Sequence, residues 1–291
     1  MVKLPLAQID LFIASASDVS PKSHQDLMAR NWFSLAKQKR TEPIEHHFNE
    51  SWVKITGNPE HGIATIFDND VLIFVIAQYM FAVNNGMPTG RRFQFTGYEF
   101  FKFIGRKKFG GKAYADLWAS LERLHNTFVE TNIRLGDSAR KHSFNWLSEI
   151  KQTVENGRHR GYEIIIPEWL HNDVVNNKLV LTLDDEYFNI KGGLERWLYL
   201  FARKTSGWQT GGWSESLYSI YQKSGSRSSF SEFKRQIGKI LGKKYILGYK
   251  VEVIDKQRHK GLHFLRDHEL IQISSKGRKS KGATRWRKEI E

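Results

Sequence analysis

The chain is 291 residues long, which is enough for two domains, and it contains no cysteine. Disulfide bridges and thiolate zinc sites are therefore excluded, as suits a protein of the reducing cytoplasm. The longest continuous apolar stretch, residues 71–77, is far shorter than the roughly 20 residues of a membrane-spanning helix. We expect a cytoplasmic protein that has no role in a membrane.

Basic residues are concentrated in the C-terminal third. Residues 192–291 contain 22 Lys and Arg against 9 Asp and Glu, a net charge of +13, within a total of +14 for the whole chain. The other 191 residues are almost neutral. Such an asymmetry favours contact with nucleic acid through the C-terminal third.

The first 60 residues give few strong signals. A short strand is predicted at residues 9–13, and a hairpin is predicted around Asn49 and Glu50, between strands at residues 44–48 and 52–55. We treat residues 1–60 as an N-terminal extension.

Residues 61–188 contain three helical patterns followed by a hairpin pattern. Helices are predicted at residues 71–83 and 97–104, capped by Asp68 or Asp70 and by Thr96. A third helix is predicted from four apolar residues at helical spacing, Tyr114, Leu117, Leu121 and Leu124. Strands are predicted at residues 92–95, 127–134, 144–154 and 162–166. Asn156-Gly157 is a strong type I′ turn signal between the last two strands, and a short helix (169–176) and a strand (179–183) follow.

The same order of elements returns in residues 189–273. Helices are predicted at residues 193–204, 213–223 and 230–241, and strands at 249–254 and 262–265, joined by a basic loop at 255–261. We therefore expect an α+β protein with two tandem winged-helix domains, residues 61–188 and 189–273, each with a β-hairpin wing. Residues 274–291 contain seven Lys and Arg without an apolar period and are expected to form a flexible basic tail.

The third helix of a winged-helix domain lies in the major groove of DNA. In the second domain its apolar side consists of Phe230, Phe233, Ile237 and Ile240, which leaves its polar side for DNA. The predicted DNA contacts on this helix, in the turn before it and in the hairpin loop are Arg227, Ser231, Lys234, Arg235, Lys239, Lys256, Arg258 and Lys260. Lys and Arg also cover the solvent face of ordinary helices, but the basic hairpin loop favours DNA contact.

The first domain offers a less basic face. Its predicted DNA contacts are Arg106, Lys107, Lys112, Ser120, Arg123, Arg158 and Arg160. Asp116 and Glu122 on the same helix would repel phosphate. A surface for a protein partner, or for a second copy of the chain in a homodimer, therefore competes with DNA contact here.

The sequence contains no evident catalytic centre. Glu45, His46, His47 and Glu50 resemble a carboxylate–imidazole cluster, but consecutive histidines on a strand point to opposite faces. A phosphate-binding GxxxxGK[ST] loop is absent, as is the His-hydrophobic-His triplet with a nearby Tyr that would suggest a nicking enzyme. We expect neither enzymatic activity nor a metal or other cofactor.

Several blocks of the sequence resemble the replication initiator protein A family of bacterial plasmids. They are GIATIFDNDVLI (62–73), GGKAY (110–114), LERL (121–124), Thr127 with TNI (131–133), LTLDDEYF (181–188), LERWLYLFARK (194–204), SG (224–225) and FKR (233–235). The sequence departs from the expected pattern where Trp197 follows Arg196, and in the basic turn that begins at Arg106.

The resemblance implies a protein that binds double-stranded, repeated origin DNA. It also implies recruitment of host replication proteins, namely the replicative helicase, its loader or the host initiator, and repression of the protein's own gene. The alternative is a winged-helix transcriptional repressor that has no role in replication. A nicking enzyme of rolling-circle replication is a weaker third reading.

Binding to origin DNA should depend strongly on salt, because cations of the C-terminal third would displace counterions from phosphate. With roughly 6–10 phosphate contacts, affinity should fall by about 10³–10⁵ between about 50 and 200 mM salt. Fluorescence anisotropy of labelled origin DNA measures this dependence. A nearly flat titration would contradict the electrostatic interpretation.

Overall fold

The computed structural model describes residues 11–14, 19–48, 50–133, 141–155, 158–207, 209, 211–242, 245–256 and 259–266. The first part of the chain contains β1 (Leu11–Ile13), β2 (Lys22–His24), α1 (Gln25–Ala29), β3 (Ile44–Phe48), β4 (Ser51–Gly57), α2 (Asn69–Asn84), β5 (Arg92–Phe95), α3 (Gly97–Phe103), α4 (Gly111–Asn126), β6 (Thr127–Thr131), β7 (His142–Asn145), β8 (Glu149–Glu155), β9 (Arg158–Ile165), α5 (Glu168–Val175), β10 (Val180–Thr182) and a 3₁₀ helix (Asp185–Asn189). The second part contains α6 (Gly193–Thr205), β11 (Trp213–Ser216), α7 (Leu217–Ser224), α8 (Phe230–Leu241), β12 (Tyr245–Ile246), β13 (Tyr249–Lys256) and β14 (His259–Arg266). These elements form an α+β protein.

The predicted order of three helices and a hairpin is present in the first unit, which consists of α2, β5, α3, α4 and the β8–β9 hairpin. Its sheet has the strand order β1-β5-β9-β8. The capping of α3 is confirmed: the Thr96 hydroxyl accepts from the Glu99 amide, and the Glu99 carboxylate accepts from the Thr96 amide at 2.6 Å. Asp68 occupies the N-cap position of α2 but makes no side-chain cap. Its carboxylate instead accepts from the amide and hydroxyl of Thr65.

One strand prediction for this unit is corrected and another is confirmed. The predicted single strand at residues 144–154 is two strands, β7 and β8, in different sheets. Trp146 and Leu147 lie between them with no exposed surface, so the chain passes through the core as it changes sheet. The predicted strand at residues 127–134 is β6, which pairs outside the unit's sheet, and β10 pairs with β2.

Residues before position 60 contribute strands to three of the four sheets that the described residues form. The predicted hairpin is confirmed as β3 and β4, with Ile44 opposite Ile55, and it continues through β6 and β7 in the strand order β3-β4-β6-β7. In addition, β1 runs parallel to β5, and β2 pairs with β10. The domain boundaries at residues 60, 188 and 273 stay predictions. The predicted turn at Asn156-Gly157 and the predicted tail lie outside the described residues.

The second unit repeats the order of the first, with α6, β11, α7, α8 and the β13–β14 hairpin, and a sheet of strand order β11-β14-β13-β12. In both units the strand that precedes the second helix pairs with the last strand of the hairpin. The predicted helix at residues 213–223 is wrong at its start, since residues 213–216 pair with β14 and Ser216 caps α7. The predicted loop at residues 255–261 is also wrong, because strand pairing extends to Lys256 opposite His259.

A buried ion pair joins the first helices of the two units. Arg196 of α6 donates from Nη1 to both carboxylate oxygens of Asp70 in α2, at 2.7 and 2.9 Å. Its other nitrogens donate to the carbonyl oxygens of Phe188 and Ile190, and the guanidinium lies 4.5 Å from the ring centroid of Phe67. Burial raises the pKa of Asp70 to about 6, and the positive charge and hydrogen bonds of Arg196 oppose this rise. The apolar cores of the two units are continuous around this pair.

Within the described residues, no helix combines the length and apolar character that crossing a bilayer requires.

Asp70→Ala should lower the free energy of unfolding by about 3–5 kcal/mol, because Arg196 would be left buried without its carboxylate. Replacing both residues, as Asp70→Leu with Arg196→Met, should cost less, since no charge is then left unpaired. Urea unfolding monitored by circular dichroism measures both values. Glu45→Ala removes an exposed pair with Lys54 and serves as the control, with a cost within about 1 kcal/mol. A double variant less stable than Asp70→Ala would contradict this role of the pair.

Candidate nucleic-acid interface

Helix α8 presents one apolar and one polar face, as its sequence pattern predicts. Phe233 and Ile237 are buried against the unit, and Ser229 caps the helix by accepting from the Glu232 amide. The structure brings together on the exposed face, or in the turn just before the helix, the predicted residues Arg227, Ser231, Lys234, Arg235 and Lys239. All five of these residues are exposed, and α8 has more exposed cations than either of the other helices of the second unit.

Both arginines of this face are bound to a carboxylate. Arg235 donates from Nη2 and Nε to the two oxygens of Glu232, at 2.6 and 2.7 Å, and these bonds lower the pKa of Glu232 to about 2. Arg227 donates to Glu42 at 3.0 Å. Neither acid is among the site residues predicted from the sequence. Glu232 is detectable from its spacing of three residues, whereas Glu42 is 185 positions away from Arg227.

Exposed ion pairs of this kind contribute only about 0–1 kcal/mol, because water screens both charges. The guanidinium groups of Arg227 and Arg235 are more than half exposed. Each arginine can therefore exchange its carboxylate for a phosphate or a guanine edge at small cost. Lys234 has a different environment, with its ammonium 5.1 Å from the ring centroid of Phe230.

The structure describes the β13–β14 hairpin as far as its last strand pair, Lys256 opposite His259. Lys260 is exposed on β14, directly opposite Asp255, and the backbone of Lys256 ends β13. These two lysines lie on paired strands at the end of the hairpin rather than in a loop. Arg258 and the side chain of Lys256 lie outside the described residues.

The turn between α3 and α4 forms a second basic surface. Arg106, Lys107, Lys108 and Lys112 are all exposed, and none of them has an ion pair among the described residues. Arg160 is exposed on β9, while the side chain of Arg158 lies outside the described residues. Ser120 is half-buried and donates to the Asp116 carbonyl oxygen at 3.0 Å.

Arg123 is separate from this basic surface. Its Nε and Nη2 donate to the two oxygens of Asp68 at 2.8 and 2.7 Å, and the Asp68 side chain is almost fully buried. The hydrogen bonds to Asp68 raise the pKa of Arg123. Together these contacts connect α4 to the turn that precedes α2, so they support a structural role for Arg123.

The histidine cluster considered for catalysis is divided as predicted. His46 is buried, with Nδ1 at 2.7 Å from the Gln222 carbonyl oxygen and Nε2 at 3.0 Å from that of Asn31. His47 is exposed on the other face of β3. Across the described ranges, no group of three or more metal-ligating side chains is assembled.

Arg123→Ala should lower the free energy of unfolding by about 1–3 kcal/mol, since the buried carboxylate of Asp68 would lose its charged partner. Lys112→Ala removes the same charge from an exposed position of the same helix, and should change stability by no more than about 0.5 kcal/mol. Urea unfolding of the two variants gives the comparison. Equal effects would contradict the structural role of Arg123.

Comparisons with known proteins address the identity of the chain. Residues 22–251 match the family described as replication initiator protein A. A "Putative replication protein" of Wigglesworthia glossinidia brevipalpis is 33% identical over 198 residues, covering 65% of this chain and 70% of that protein.

Two crystal structures of domains 2 and 3 of RctB are similar in fold. One has a TM-score of 0.59 at 14% identity and covers 84% of this chain and 98% of the RctB chain. The other has a TM-score of 0.53 at 12% identity, with coverages of 86% and 99%. The sequence match extends over most of the chain, and the structural similarity supports the same fold; this protein therefore belongs to the replication initiator protein A family.

Proposed function

We propose that this protein initiates plasmid replication by binding double-stranded origin DNA in a sequence-specific way, through two winged-helix units. The observation that carries the proposal is the exposed basic face of α8, in a chain that belongs to a replication initiator family. In this proposal the protein acts in the bacterial cytoplasm on plasmid DNA. It then recruits host replication proteins, namely the helicase, its loader or the host initiator, and repeated sites accommodate a second copy of the chain.

The architecture supports the winged-helix assignment. Each unit has the order helix, strand, helix, helix and hairpin, with β6 and β7 inserted before the hairpin in the first unit. In each sheet the early strand pairs with the last strand of the hairpin. In a helix-turn-helix unit the helix that follows the turn enters the major groove. These helices are α4 and α8, and two such units in one chain fit two adjacent binding sites.

The electrostatics support different roles for different cations. When Arg235 releases the Glu232 carboxylate and binds a guanine edge instead, it makes a bidentate contact. Such a contact discriminates between bases by about 1–3 kcal/mol. The cations of the α3–α4 turn make no ion pair with any residue that the structure describes. They and Lys260 on the hairpin are suited to phosphate, which carries no sequence information. We propose that the protein acts by binding rather than by catalysis.

Plasmid maintenance tests this function. The gene and its adjacent repeats, placed on a circle that lacks any other origin, should yield stable transformants, whereas a frameshifted gene should yield none. DNA binding without plasmid maintenance would contradict the initiator role and favour the transcriptional repressor.

Arg235→Ala should weaken binding to origin DNA by about 1–3 kcal/mol and relax the preference at one or two base positions, because a base contact is lost. Lys260→Ala should weaken binding to all sequences alike and reduce the salt slope by about one, because a phosphate contact is lost. Competition against a library of single-base origin variants measures both effects. Lys54→Ala, on β4, is the control and should change neither.

A change of sequence preference in Lys260→Ala but not in Arg235→Ala would contradict this assignment of helix and hairpin.

A further inference from the structure

Helix α7 ends directly before the turn that leads into α8, and its final carbonyl groups are bound by a distant part of the chain. The last carbonyl oxygens of a helix have no partner within the helix. Here the backbone amide of Asn31 donates to the Lys223 carbonyl oxygen at 2.9 Å, and Asn31 Nδ2 donates to that of Ser224 at 2.8 Å. Asn31 is almost completely buried, so both bonds are shielded from water.

Two further side chains complete the set. His46 Nδ1 lies 2.7 Å from the Gln222 carbonyl oxygen, and Arg40 Nη1 donates to the Gly225 carbonyl oxygen at 3.0 Å. Four consecutive carbonyl groups, at residues 222–225, therefore all face partners from residues 31–46. A positive charge such as that of Arg40 is also favoured at the C-terminal end of a helix by the helix dipole.

Strand β3 lies in close contact with the same turn. Gly225 has a φ of 61°, and a Cβ atom at this position would come within 2.9 Å of both Ile44 and His46. Glycine is therefore required both by the backbone conformation and by the approach of β3. Two residues after Gly225, Arg227 forms an ion pair with Glu42 of the same segment.

Residues 31–46 are equally well fixed to the first unit. Ser34 donates from its amide to the Ala64 carbonyl oxygen at 2.9 Å, and the Ile63 amide donates to that of Arg40 at 2.7 Å. The segment ends within β3, which pairs with β4. Strand β4 in turn pairs with β6, which directly follows α4. One segment thus connects the end of α4 to the start of α8.

We propose that residues 31–46 act as a clasp, in which Asn31, Arg40 and His46 are positioning residues that fix the direction of α8 relative to α4. The Arg196–Asp70 pair attaches the second unit through α6, and the clasp attaches it at a separate point, the α7–α8 turn. The clasp therefore adds hydrogen bonds at the α7–α8 turn, away from the contacts that α6 makes with the first unit. The clasp makes affinity depend on the helical phase of the two DNA sites, and this consequence rests on the proposed function.

The phase dependence is measured with origin DNA in which the spacer between the two sites is lengthened base pair by base pair. Wild-type affinity should fall about tenfold or more near half a helical turn, at about 5 bp, and recover near about 10 bp. In Arg40→Gln the amplitude should shrink to about threefold or less, while affinity for a single site stays within about twofold of wild type.

Lys39→Gln is the matched control, since Lys39 donates to the carbonyl oxygens of Pro59 and Glu60 and makes no described contact with α7. It removes the same charge one residue away and should keep the wild-type amplitude. An Arg40→Gln amplitude equal to that of wild type, or an equal loss in Lys39→Gln, would overturn the proposal.

A second measurement requires no DNA. The chain has no cysteine, so spin labels can be placed at Gln152→Cys on β8 and Val253→Cys on β13, both exposed. The label-to-label distance distribution should be narrow in the wild-type background, and broader with Gly225→Ala, which pushes β3 off the turn, or with Arg40→Gln. Narrow distributions in both variants would refute the clasp even if DNA binding is intact. If the variants broaden the distribution but the wild-type protein does not bind origin DNA, the clasp is supported and the proposed function is contradicted.

Discussion

The buried guanidinium of Arg196 is the contact on which the arrangement of the two units depends. Only 5% of the Arg196 side chain is exposed. Its buried charge is tolerated because its N–H groups donate to the Asp70 carboxylate and to the carbonyl oxygens of Phe188 and Ile190. These acceptors come from α2 and from the segment before α6, so the second unit is bound to the first at its first helix. Trp197, where the family resemblance leads one to expect a basic residue, is buried beside Arg196 and belongs to the core.

The surface proposed to bind DNA divides into two kinds of cation. Arg227 and Arg235 each form an exposed ion pair, with Glu42 and Glu232 respectively. In the proposed DNA contact these acids repel phosphate and must be released before a guanine edge binds, which adds selectivity. The cations of the α3–α4 turn have no such acids among the described residues, which suits attraction without selection. The proposal thereby assigns specificity to α8 and electrostatic attraction to the α3–α4 turn.

Local signals in the sequence predicted local structure well. The bounds of α8 follow from the spacing of Phe233 and Ile237 together with the cap at Ser229. Long-range pairing was not predictable in the same way. Strand β6 continues from α4 but pairs with β4, at least 70 residues earlier in the chain, and the polar edge strand β11 has no apolar alternation. The same limit applied to the site. Arg123 is a basic residue on the polar face of α4, as expected of a DNA contact. Only the proximity of Asp68, 55 residues away, shows its structural role.

We propose that one chain contacts two adjacent stretches of duplex DNA through α4 and α8, in a fixed relative orientation. A hydroxyl-radical footprint of the full chain on the plasmid DNA next to its gene tests this arrangement. We expect two protected segments on one face of the duplex, separated by about one helical turn, 10–10.5 bp, or a multiple of it. A single protected segment of the size that one unit covers, or uniform protection without sequence preference, would contradict it.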